Sequence, residues 1–249
     1  MITAIIIANF VIGISIGVSG IAGFLLPMFY VGVLTLPVAD SMTLSFAAFA
    51  VSGIIGTLSY HRSGDIDFKF IMKLMIGSII GSLIGVWANG MVDVRTAKIV
   101  LYIMVLCSSI SLLFSRKDGD ENSKLYKLRN NNIFVVLVGT LIAAISSFSG
   151  AGGPILSVPL LSLLGFNIRQ AVGMSLFNSI FIAIPAFIGY YTKASLSQIL
   201  LFMILCAISH GIGTLIGARI SSKINQRILK LGIAFFSIIV SVYMLWTVI

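Results

Sequence analysis

Residues 133–166 read IFVVLVGTLIAAISSFSGAGGPILSVPLLSLLGF. Two apolar runs, Ile133–Phe148 and Ile155–Phe166, flank Ser149-Gly150-Ala151-Gly152-Gly153, and each is shorter than the roughly 20 residues a membrane-crossing helix needs. Closely spaced glycines inside such a segment bare backbone N–H and C=O groups that lipid cannot satisfy. A break of this kind is tolerated only where it is buried in protein or lines an aqueous cavity. Pro154 follows at once, and proline is at home at the first position of a new helix. The half-helix that starts there aims unpaired N–H groups and a positive dipole end back into the break, an arrangement suited to an anion.

The pattern occurs twice. Ser19-Gly20-Ile21-Ala22-Gly23 aligns with Ser149–Gly153 at an offset of 130 residues, which also pairs Ser45 with Ser175 and Tyr60 with Tyr190. Further on the offset becomes 132, pairing Gly81-Ser82-Leu83-Ile84-Gly85 with Gly213-Thr214-Leu215-Ile216-Gly217, Arg95 with Arg227 and Lys98 with Lys230. The remaining apolar runs lie at Ile2–Val18, Phe24–Leu36, Ser41–Ser59, Phe70–Gly90, Thr96–Phe114, Ala171–Tyr191, Leu196–Ala218 and Ile228–Val248. The chain therefore reads as a duplication. A first membrane repeat spans 1–114, a polar linker 115–131 and a second repeat 132–249, together one integral membrane domain.

Composition agrees. With 59% hydrophobic and 9% charged residues the chain departs from soluble globules, whose charged share is about a quarter. The net charge of +9 is not gathered on one face, as nucleic-acid binding requires, but sits at the ends of apolar runs. No basic residue precedes Arg62, so the first apolar run is expected to be a retained helix rather than a cleaved signal. Cys107 and Cys206 lie within apolar runs, where a thiol behaves as a small hydrophobe, and no second Cys or His sits at ligand spacing from either, so no metal site is expected.

Charge asymmetry sets the orientation. If each short pair of runs forms a hairpin that enters and leaves on one side, each half makes three full crossings, and thirteen of the sixteen basic residues fall on one side of the bilayer. Only Arg95, Lys98 and Lys193 face the other. If each pair is one continuous span, the split is nine against seven. The positive-inside rule favours the first arrangement. The expected fold is an all-α polytopic membrane protein with two inverted-topology repeats, each a short helical hairpin broken by a Gly-rich loop plus three full crossings. Both termini are outside and the linker is cytoplasmic.

The expected substrate-binding residues are Ser19, Gly20, Ala22 and Gly23 of the first break and Ser149, Gly150, Gly152 and Gly153 of the second. Ser175 and Asn178, which share a helical face with Ser179, join them, as does His210 well inside its run. For the serines and Asn178 the alternative role is an interhelical hydrogen-bond cluster, and for His210 a satisfied interior histidine. Gly77, Gly81 and Gly85, four residues apart, read as close-packing positions instead. All seven acidic residues lie in loops or at span ends, which argues against a carboxylate-lined cation path. The anion would be held by backbone donors and hydroxyls. A different class of function enters through Gly17-Val18-Ser19-Gly20, which matches the serine motif of rhomboid intramembrane proteases, with His210 as the imagined base. The second copy, Ser147-Phe148-Ser149-Gly150, lacks the leading glycine.

The duplicated small-Gly-x-(Gly/Ala)-Gly break, the following Val158-Pro159-Leu160-Leu161, the basic central loop and the length near 250 resemble the TauE/SafE family of sulfite and organosulfonate exporters. The second copy fits best; in the first, Ala22 replaces a glycine and Pro27 sits two residues closer to the break. The resemblance implies secondary transport of a sulfur-containing or carboxylate anion across the bacterial inner membrane, without cofactor or metal and without enzymatic activity. The implied partners are a small anionic solute and the lipid bilayer, with a homodimer left open.

The charge split predicts that single cysteines at Lys124 and Lys223, in a variant lacking Cys107 and Cys206, both resist an impermeant thiol reagent applied to intact cells. Labelling at Lys223 alone would instead indicate parallel repeats.

Overall fold

A computed structural model of the chain describes residues 2–61, 66–91, 128–195, 197, 199–221 and 223–248, with isolated positions between 93 and 113. Most of the expected crossing Thr96–Phe114, the linker up to residue 127 and Arg62 lie outside the described residues. Every regular element among the described residues is helical, and they contain no strand. Helix α1 (Ile2–Ser19) is followed by a run of mixed pitch: a 3-10 turn at Ala22–Phe24, α2 (Leu25–Met28) and a π-helical turn at Phe29–Val33. Then come α3 (Val38–His61), α4 (Phe68–Asn89), α5 (Asn132–Ser149), α6 (Pro154–Leu163), α7 (Ile168–Tyr191), α8 (Ile199–Ser221) and α9 (Gln226–Val248). Helices α1, α3, α4, α5, α7 and α8 are long and apolar enough to cross a membrane, so α1 and α5, expected to be arms of short hairpins, have the length of a crossing. His61 is the last residue of α3, its ring edge-on to Phe68.

Local sequence chemistry sets several helix starts. Asp67 caps α4 by accepting from the Phe70 N–H, and Asn131 caps α5 by accepting from the N–H groups of Ile133 and Phe134. Asn167 and Gln170 form a reciprocal capping box at α7, satisfying two orphan donors at once. Pro154 opens α6, as its ring geometry favours.

Helices pair across the duplication. α1 packs along α8, α4 along α5, and α3 against α7. Glycines make the first two pairings close: a methyl group on Gly77, Gly81 or Gly85 of α4 would overlap the carbonyls of Val136, Thr140 or Ala144 in α5. In the same way Gly213 and Gly217 of α8 lie on the carbonyls of Phe10 and Ile14 in α1. Lipid offers no hydrophobic force between helices, so contact of this closeness is what holds them. Corresponding tyrosines tie the central helices to the outer ones. Tyr60 of α3 donates to the Gly17 carbonyl at 3.0 Å, and Tyr190 of α7 to the Ser147 carbonyl at 2.8 Å. Large apolar side chains such as Ile76, Ile80, Leu83, Leu137, Leu141, Ile204 and Ile208 point outward, as a lipid-facing surface requires.

Gly81→Val should push α4 off the Thr140 carbonyl and lower stability by about 1–3 kcal/mol, read as a reduced thermal unfolding temperature in detergent and a lower yield. Gly90→Ala, whose added methyl would have its nearest neighbour at 3.5 Å, should be silent. Equal unfolding temperatures for the two variants would contradict this packing.

Candidate solute site at the helix breaks

Helix α1 ends at Ser19, and Gly20 turns the chain with a left-handed φ of 77°; α5 ends at Ser149, and Gly150 does the same with φ of 74°. Beyond that point the two segments differ. Gly152 adopts a second left-handed conformation, φ 71°, and the chain stays non-helical until Pro154. The corresponding residue of the first segment is Ala22, whose Cβ disfavours that region, and there the 3-10 turn begins at once. The second break is the more open of the two, as the glycine count of the pentapeptides implies.

Each break is covered by the segment that follows the other. A methyl on Gly20 would lie 3.2 Å from Val158 and 3.4 Å from Pro154, both in α6. One on Gly150 would meet Met42 and Pro27, the latter in α2. Between the breaks stands Phe49 of α3. A methyl on Gly23 would be 3.1 Å from its Cε1 and 3.2 Å from the Ala151 carbonyl oxygen, and one on Gly152 would be 3.2 Å from its Cε2. Phe46 meets Phe49 edge-on and stacks on Tyr190, which fixes the ring from behind. On the α7 side Gly153 lies against Ile182 and the Ser179 backbone.

Polar groups are arranged unevenly. Ser19 and Ser149 turn their hydroxyls back to the carbonyls of Ser15 and Ile145, each at 2.7 Å, so both donors are occupied within their own helices. Ser175 and Asn178 differ: both are fully buried, and the Ser175 hydroxyl and both atoms of the Asn178 amide have no hydrogen-bond partner. They share the face of α7 that carries Ser179 and Ile182, the residues against Gly153. At the start of α6 the N–H groups of Leu156 and Ser157 return to the Gly153 carbonyl. Those of Gly152, Gly153 and Ile155 take no part in the turn and cap hydrogen bonds that close other helix ends. A buried amide left unpaired costs on the order of 1–3 kcal/mol, which a bound solute would recover. Every donor here is uncharged. Among the described residues no group of three or more His, Cys, Asp or Glu could hold a metal ion.

His210 lies apart from the breaks. It is wholly buried in the middle of α8, its Nδ1 lying 3.1 Å from the Asn9 carbonyl of α1. Asn9 precedes Ser19 by ten residues, about 15 Å of helical rise, so Ser19 and His210 form no nucleophile–base pair and the protease alternative loses its geometry. Phe49 was not among the residues expected at the site. Its sequence signal is a mismatch: the offset of 130 pairs this aromatic with Ser179.

Six long apolar helices wrapped around broken ones make this a multi-pass integral membrane protein, and comparison with known proteins makes it a transporter. The chain belongs to the sulfite exporter TauE/SafE family, whose sequence profile matches residues 5–244. A probable membrane transporter protein of Haemophilus influenzae is 27% identical to it over 256 residues, covering 91% of this chain and 95% of the relative. The probable membrane transporter protein YdhB of Bacillus subtilis is 25% identical, with 89% of each chain covered. A second Bacillus subtilis protein, the probable membrane transporter protein YjnA, is 21% identical over 243 residues. No solved structure matches the chain. Family and relatives are membrane transporters, not enzymes.

Proposed function

We propose that this protein is a secondary transporter of a small anion in the bacterial inner membrane, with sulfite, an organosulfonate or a related sulfur-containing or carboxylate anion as solute. The anion binds near mid-membrane between the two glycine breaks. Two inverted-topology repeats carry the breaks, with the linker on the cytoplasmic side.

One observation carries the reading: the second break, non-helical through a left-handed Gly152, lies beside α7 positions whose buried hydroxyl and amide have no partner. An anion at that point would accept from the Gly152–Ile155 backbone and from Asn178, and would meet the positive end of α6. A helix N-terminus supplies roughly 0.3–2 kcal/mol per charge, so two such ends with a few hydrogen bonds reach the about 4 kcal/mol of a millimolar affinity. The absence of formal charge suits a transporter, which must release what it binds. The family's description as sulfite exporters supports the choice of solute. Phe49 closes the space between the breaks in the conformation described, so solute entry requires its ring to move.

The test is uptake of labelled sulfite, sulfoacetate, taurine and small carboxylates into proteoliposomes, with and without a pH gradient. At least one anion should be taken up saturably. Gly152→Val should abolish binding of that anion while the protein still inserts, because the side chain strains a left-handed φ of 71° and meets Phe49. Ser19→Ala should leave transport measurable, its hydroxyl being bonded within α1. Unchanged affinity in Gly152→Val would move the site away from the break.

A further inference from the structure

A second polar centre lies at the α1–α8 interface, well away from the first break along α1. Asn9 of α1, Tyr30 of the π-helical turn, and Cys206 and His210 of α8 are all completely buried and joined. The Asn9 amide donates to the Ile5 carbonyl at 2.8 Å and to the Tyr30 hydroxyl at 2.7 Å, and lies 3.4 Å from Cys206 Sγ. Tyr30 and Cys206 are 3.1 Å apart. The carbonyl of Asn9 can only accept, so His210 Nδ1 carries the hydrogen of their 3.1 Å contact. In the neutral ring that leaves Nε2 as a bare acceptor, and Nε2 has no partner; neither does Asn9 Oδ1.

Comparison of the two halves separates function from packing. At the offset of 132, His210 corresponds to Ser78, and Asn9 corresponds at 130 to Gly139. Ser78 makes the equivalent contact, donating across the α4–α5 interface to the Gly139 carbonyl at 3.4 Å. Cys206 corresponds to Leu74, which packs on Gly139. Tying one helix to the backbone of its neighbour thus needs only a serine, set among apolar groups. The α1–α8 interface alone carries an imidazole with a free lone pair in mid-membrane, where an ionisable residue marks function by default.

We propose that His210 is a proton-binding site, with Asn9 as its positioning residue and Nε2 as the atom that takes the proton. Among the described residues the titratable groups joined to it through Asn9 are few: Tyr30 from the π-helical turn and Cys206 from α8 itself, both neutral at ordinary pH, while α1 presents Asn9 and Gly13. From α3, Val51 and Ile55 lie beside the adjacent Gly211. Among the described residues no carboxylate is hydrogen-bonded to the ring or paired with it. The packed conformation is therefore the proton-free one, and a proton on Nε2 favours a state in which water reaches the cluster. Tyr30 belongs to the segment that follows the first break, so proton occupancy alters how that segment seats on α1 and α8. The link from this seating to solute movement rests on the transporter reading above; the site itself does not.

The chain has two histidines, so His61→Asn leaves one. The test uses that variant, further carrying Cys107→Ser, purified without a histidine tag, labelled with imidazole 15N and held in lipid nanodiscs. Nitrogen chemical shifts are followed from about pH 8 to about pH 4, which brackets the ordinary histidine range. In parallel the alkylation rate of Cys206 by N-ethylmaleimide is measured relative to the same protein unfolded in SDS at each pH, which removes the effect of thiol ionisation. The expected result is a neutral Nδ1–H ring that gains a proton on Nε2 reversibly while the protein stays folded. Relative exposure of Cys206 should rise over the same interval, and His210→Ser, which copies Ser78, should show no such rise. A ring that stays neutral to about pH 4 overturns the proposal, as does an Nε2–H tautomer at neutral pH or a Cys206 exposure whose pH dependence survives in His210→Ser. Should His210→Ser fail to fold, the 15N titration decides alone. Neither readout needs a solute, so failure here leaves the anion site standing, and failure of anion uptake leaves this result standing.

Discussion

A backbone that leaves helical geometry inside hydrocarbon must find partners within the protein, because no water is there to supply them. Around Gly20 and Gly150 the chain leaves helical geometry at buried positions, and much of the architecture covers those turns with protein. Pro154 and Val158 cover the first break, and Pro27 and Met42 cover the second, so each non-helical turn is shielded by the other's continuation. That mutual cover requires the halves to interlock rather than sit side by side. The glycine rows of α4 and α8 make it possible by letting helices from opposite halves approach to backbone contact. Tyr60 and Tyr190 then tie α3 and α7 to carbonyls at the ends of α1 and α5, next to the breaks.

Duplication does not mean equivalence. Where the first half has Ala22, Phe49 and Ser78, the second has Gly152, Ser179 and His210. The first difference makes one turn tight and the other open. The second puts an aromatic ring on α3 and a small hydroxyl on α7, so an anion between the breaks would meet an apolar wall on one side and polar groups on the other. The third confines the ionisable centre to the α1–α8 interface. Corresponding residues of the two halves make the same packing contacts, and the proposed solute and proton sites fall where the correspondence fails.

Much of this was legible in the sequence because the bilayer is so restrictive a solvent. The apolar runs located the described crossings to within a few residues, and the spacing of Gly77, Gly81 and Gly85 correctly read as close packing. The pentapeptides marked the helix ends through a property of glycine alone. Contacts between residues distant in the chain were not legible. Nothing in the sequence near Phe49 indicates that its ring fills the space between two glycines, and nothing near Asn9 indicates Tyr30 and Cys206 as neighbours. Ser19 and Ser149 looked like donors to a solute, yet a serine at a helix end readily bonds its own preceding turn. The helical spacing of Asn178 with Ser175 and Ser179 allows either a solute contact or an interhelical hydrogen-bond cluster, and in the structure its amide has no such cluster.

The central claim is that an uncharged, backbone-lined space between the breaks holds an anion. Anomalous diffraction from crystals soaked in an iodine-labelled small sulfonate tests it most directly. The account predicts an ordered peak between Gly23 and Gly152, with oxygens toward the Gly152–Ile155 backbone and Asn178, and with the Phe49 ring displaced. A peak only against basic loop residues such as Lys223, with Phe49 unmoved and the same sulfonate still transported, would contradict it.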